Sequence, residues 1–149
     1  MTQEEKQLLL IDLCSRLPHG VKVENTSFSE PQIHTLFGRV SDDMFLMLET
    51  YKSVSGEDYR RVVDDVHYIG YLESIKPYLR PLSSMTEEES EEYRMFIDYS
   101  YNDFTSENTP CVYVDKIENY INWLNKHHFD YRGLIEIGLA LVAPEGMYE

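Results

Sequence analysis

KPYLRPLSSMTEEE, residues 76–89, holds two prolines, a T-x-x-E motif and a run of glutamates, and its reading divides the chain. Proline removes a backbone donor and pushes the residue before it toward extended geometry, so Pro77 and Pro81 constrain Lys76 and Arg80. KPYLRP therefore reads as a stiff connector and not as a central strand. Thr86 with Glu89 is a capping box, and Glu87, Glu88 and Glu89 fall in the first helical turn, where the dipole favours carboxylates. All three are expected in solvent. The helix they open has Tyr93, Phe96, Ile97 and Tyr101 as its apolar stripe and ends near residue 100, before the turn-forming stretch 102–110.

Upstream of the connector the pattern is one helix and then strands. Thr2 with Glu5 is another capping box, and Leu9, Leu10, Leu13, Cys14 and Leu17 recur at the spacing of one helical face, which predicts a helix over 3–16. Pro18, His19 and Gly20 stop it. Residues 21–24 alternate as a half-buried strand does, and 33–40 and 44–49 are β-rich runs that pair as a hairpin across Ser41, Asp42 and Asp43. The stretch 57–64 reads as a helical or irregular turn, followed by a strand over 66–72. Downstream, Val114, Ile117, Tyr120, Ile121 and Leu124 form the cleanest amphipathic pattern, with Asp115 or Thr109 as its cap. Trp123 and Leu124 are expected to pack against the N-terminal helix or the sheet.

The fold class that results is α+β: an N-terminal helix, a small antiparallel sheet and two or three C-terminal helices. One domain spans 1–149, with a β-containing half at about 1–75 and a helical half at about 82–149. A chain of 149 residues with 42% hydrophobic content can bury a single core, which supports one domain. Its 27 acidic and 13 basic residues leave a net charge of −14, which repels phosphate backbones and anionic lipid surfaces, so neither nucleic acid nor membrane is an expected partner. Cys14 and Cys111 are too few for a disulfide framework and read as small buried thiols in a reducing compartment. Leu8 to Ile11, behind Glu4 and Glu5, is too short and too acidic for a signal peptide, and no stretch approaches the ~18 apolar residues of a membrane helix. A cytoplasmic protein is expected.

WLNKHHFDYRGLI, residues 123–135, is where a metal or catalytic site would be sought. Neighbouring helical residues point about 100° apart, so His127 and His128 do not face one ion while the helix continues. His127, His128 and Asp130 fall short of a zinc ligand set, and no HExxH or CxxC supplies the remainder. They read instead as punctuation: histidines in the last helical turn, Phe129 turning the chain into the core, and Asp130 capping a short segment that Gly138 closes. Gly133 and Gly138 match no phosphate loop. Neither serine nor cysteine lies in a nucleophile motif, so no catalytic residue and no cofactor are assigned.

IKPYLRPLSSMTEEE (75–89), NWLNKHHFDYRGLIEIGLALVAPEGMY (122–148) and LCSRLPHGV (13–21) resemble short proteins of Bacteroides-type gut bacteria and their phages. The strings cover about a third of the chain. The resemblance implies a phage or mobile-element setting and supplies no activity, fold or catalytic residue. The expected function is therefore non-enzymatic binding of another protein, with Tyr78, Arg80, Phe129, Tyr131 and Arg132 as the candidate contact residues, since Tyr and Arg dominate interface hot spots. One alternative is an acidic mimic of nucleic acid that inhibits a DNA-binding protein; another is a small metal-dependent hydrolase using His127, His128 and Asp130.

Overall fold

In a computed structural model, residues 1–27, 32–41, 43–49, 67–103 and 111–148 are described. Helix α1 (Gln3–Arg16) begins at the Thr2 capping box, in which the Glu5 amide donates to the Thr2 hydroxyl and the Glu5 carboxylate accepts from the Thr2 amide. It passes into a tight turn over Leu17–His19, and Gly20 reverses the chain at φ 65°, a left-handed conformation that glycine adopts without a Cβ clash. Strands β1 (Lys22–Asn25), β2 (Gln32–Arg39), β3 (Met44–Glu49) and β4 (His67–Tyr71) follow, all antiparallel to their neighbours. The β2–β3 hairpin carries a bulge between Leu36 and Gly38. The segment 57–64 lies outside the described residues.

Strand β5 (Ile75–Leu79) corrects the connector reading. The sheet order is β4-β3-β2-β1-β5-β6, so KPYL is a strand between β1 and β6 (Leu141–Val142). Pro77 stands opposite Val23 in the antiparallel pair with β1. A proline fits a ladder where its nitrogen faces away from the paired strand. On the far side β6 pairs only with Tyr78 and Leu79, so no described strand needs a donor from Pro77. Pro77 stiffens the strand instead of excluding it.

One apolar cluster draws on both sides of that strand. Leu9 and Leu13 of α1 pack on Val23, Leu36, Phe45, Met47, Ile75 and Leu79, and Leu134, Leu139 and Ala140 join them from the C-terminal segment. Gly70 sits where a Cβ would lie 2.7 Å from the Met47 Cε, so the β4 backbone comes this close only without a side chain. Cys14 is a half-buried free thiol on α1; the side chain of Cys111 is outside those described.

Helices α2 (Glu87–Asp103) and α3 (Cys111–Lys126) form a hairpin. Because α3 starts at Cys111, Asp115 lies inside it and is not its cap; Thr109 lies outside the described residues. Leu124 is buried as its position in the stripe predicts, but Trp123 packs elsewhere than expected. It lies against Tyr93 and Phe96 of α2, with ring centroids 6.3 and 5.9 Å away, and its indole N–H donates to Glu92 at 2.8 Å. The aromatic face at 120 and 123 turns toward α2, which leaves Ile117 on the outside at 62% exposure.

Candidate functional site

The last turn of α3 ends in a left-handed residue. The His128 amide bonds the Asn125 carbonyl at 3.1 Å, the Phe129 amide bonds the Leu124 carbonyl at 3.0 Å, and His128 has φ 58°. That pair of bonds is a Schellman cap, in which glycine ordinarily takes the left-handed place. His128 tolerates it because its ring is buried and stacked on Tyr148, with centroids 3.7 Å apart. Burial, with Arg16 as the next cause, lowers its pKa to about 3, so the ring is neutral.

Phe129 follows as the apolar member of the cap and is fully buried, which removes it from the candidate contact surface. Its neighbours bind inward as well. The Arg80 guanidinium lies 4.5 Å over the Phe129 ring and forks onto Glu89 at 2.7 and 2.8 Å. His127 Nδ1 is 3.0 Å from the same carboxylate. Glu87 and Glu88 are exposed as predicted, but Glu89 is not: Arg80 first, then the Thr86 amide and His127, hold its pKa at about 2 against the opposing effect of burial. Arg80 and Phe129 also form a parallel bridge, with Arg80 N–H to the His128 carbonyl and Asp130 N–H to the Arg80 carbonyl. The Asp130 carboxylate accepts from the Leu134 and Ile135 amides at 2.9 and 2.8 Å and so caps the following turn, which Gly138 closes at φ 75°.

The remaining candidates are joints between segments. Tyr78 donates to Glu24 at 2.8 Å, and burial followed by that carboxylate pushes its pKa up to about 12. Arg132 lies 4.7 Å over the Tyr131 ring and pairs with Asp12 at 3.2 Å, without hydrogen-bond alignment. Asp12 also takes a bidentate bond from Arg16, both residues fully buried, and Arg16 donates on to the Phe129 carbonyl at 2.8 Å. A lone buried charge is costly; here the fork onto Asp12 and the Phe129 carbonyl satisfy Nε and Nη2 of Arg16, while its buried Nη1 has no partner among the described residues. Among the described residues no group of three or more His, Cys, Asp or Glu side chains is arranged to hold a metal ion.

Beside this joint, α3 borders an open groove of about 630 Å³ lined by Ile117, Glu118, Asn119, Ile121, Asn122 and Asn125. Asn125 is 4% exposed, and its amide oxygen accepts from the Tyr131 hydroxyl at 3.1 Å, with the Ser15 hydroxyl at 3.4 Å. The Asn122 oxygen meets His19 Nε2 at 3.2 Å. Sequence reading passed over these asparagines, yet a signal was present: Asn119, Asn122 and Asn125 recur every three residues in a helix that asparagine does not favour. No protein-family model, no curated protein and no solved structure matches the chain.

Proposed function

We propose that this chain is a small, non-enzymatic, cytoplasmic protein of phage or mobile-element origin that acts by binding another protein, and that α3 presents the contact face. One observation carries the reading: Ile117, a member of the apolar stripe of α3, stands at 62% exposure at the edge of the groove. Exposed apolar area beside a concave surface is what a partner removes from water. Tyr78, Arg80, Phe129, Tyr131 and Arg132 hold the C-terminal segment to the sheet and to α1, so the contact surface moves from them to α3.

The test is affinity capture from host lysate at low and high salt, with Ile117→Asp as comparator. Proteins retained at high salt by the wild type and lost with Ile117→Asp support the reading. A second reading, the acidic mimic of nucleic acid, draws on Glu87, Glu88, Glu91 and Glu92, which are exposed together at the start of α2. It predicts the opposite pattern, with capture abolished by salt and indifferent to Ile117.

A further inference from the structure

We propose that the seam between α2 and α3 binds a quaternary ammonium group, held by the rings of Tyr93, Phe96, Tyr120 and Trp123. The site is separate from the contact face around Ile117, and neither depends on the other.

Two aromatic side chains from each helix meet at this seam. Between ring centroids, Tyr93 is 5.8 Å from Tyr120 and 6.3 Å from Trp123, and Phe96 is 5.7 and 5.9 Å from the same two. A core would hide such a cluster, but all four residues are only half-buried. Their positions are fixed by polar bonds and stacking. The Tyr120 hydroxyl donates to the Tyr93 hydroxyl at 3.3 Å, Glu92 holds the Trp123 indole N–H at 2.8 Å, and His127 stacks on the Trp123 ring at 4.5 Å. Rings held before a ligand arrives lose little rotamer freedom on binding.

Charge selects the ligand. The face of an aromatic ring is the negative pole of its quadrupole and attracts a cation within about 6 Å of the centroid. The formal charges nearby have the same sign. Glu92 is exposed and sets its carboxylate at the edge of the indole, and α2 carries five glutamates in its first six positions against Arg94 as its only basic residue. An anion is repelled here, and a neutral apolar group gains nothing from the carboxylates. Shape narrows the choice further. A planar guanidinium stacks on a single ring face, as Arg80 does over Phe129 at 4.5 Å. At the seam each α2 ring is tilted to each α3 ring by 45–52°, so a rounded tetraalkylammonium touches several rings where a flat cation touches one. A primary ammonium is strongly hydrated and gives up more water to enter.

Trp123 is the single tryptophan of the chain, so its fluorescence reports the site directly. Choline titrated into the full chain, against sodium chloride as the ionic-strength control, should change that emission saturably. The alcohol in which a tert-butyl group replaces the trimethylammonium should bind about threefold or more weaker, the factor a cation–π contact supplies. Phe96→Leu and Tyr120→Leu each remove one ring and should weaken choline to a similar degree, and Glu92→Gln, at an exposed position, should weaken choline while leaving the alcohol unchanged. N-acetyl-trimethyllysine amide separates two sources of the same chemistry: tighter binding than choline assigns the site to a methylated lysine of a protein, and equal or weaker binding assigns it to a free quaternary ammonium compound. Two results overturn the proposal: emission that choline does not change saturably, or equal binding of choline and the alcohol, which would leave apolar contact alone. Both are measured on the wild-type chain, so neither depends on a variant folding, and either leaves the reading of Ile117 standing.

Discussion

Thr2–Glu5 and Thr86–Glu89 are the same motif with the same reciprocal bonds, yet they end in different surroundings. At α1 the Glu5 carboxylate bonds only the Thr2 amide among the described residues. At α2 the Glu89 carboxylate bonds the Thr86 amide at 2.9 Å and also receives the Arg80 fork and His127. The first box closes a helix end; the second also ties β5, α2 and the end of α3 into one joint. Identical local motifs thus acquire different weight from partners far along the chain.

The strongest way to break this contrast is to remove the ring beneath the joint. Phe129→Ala should destabilise by roughly 3–5 kcal/mol, because a fully buried aromatic side chain leaves a cavity and Arg80 loses the face it lies on. Urea unfolding monitored by circular dichroism measures it. A loss under about 1 kcal/mol would show the joint to be peripheral.

Acid should act next. The His128 pKa is depressed, so the unfolded chain binds a proton that the folded chain refuses between about pH 6.5 and 3. Stability is therefore complete above the unfolded value and falls as pH drops through that window, by roughly 2–3 kcal/mol at pH 4. Glu89 is depressed too, and its contribution is present above the ordinary carboxylate pKa and lost as pH falls from about 4.5 toward 2. Unfolding midpoints at pH 7, 5 and 4 check the order, and His128→Gln should flatten the upper part of the profile.

Glu89→Gln sharpens the contrast directly. Its charged hydrogen bonds to Arg80 and His127 should make the loss roughly 2 kcal/mol, whereas Glu5→Gln should cost under about 0.5 kcal/mol. A double-mutant cycle of Arg80→Met with Glu89→Gln should return a coupling of about 1 kcal/mol or more. Equal losses at Glu5 and Glu89 would remove the distinction. The smallest effect belongs to the hydroxyls: Thr86→Ala and Thr2→Ala should each cost on the order of 1 kcal/mol, since both remove the same local cap.

The sequence by itself determined whatever is encoded within a few residues. The capping boxes, the start of α1, and the turn built on His128 and Asp130 follow from hydrogen bonds three to five positions apart, and the β2–β3 hairpin from pairing across a short turn. Spacing alone is enough for such features, because the backbone geometry of a turn fixes which groups meet. Only the tertiary structure decided the rest. Pro77 reads locally as a strand breaker, and it became a strand residue because of where β1 and β6 lie. Glu89 met His127 across 38 positions, Arg16 met the Phe129 carbonyl across 113, and Ser15 met Asn125 across 110. No periodicity in a helix or strand reaches over such distances. Burial of Phe129 and exposure of Ile117 depend on which face of α3 turns toward α2, and that rotation is set by packing of the aromatic side chains and not by the stripe itself.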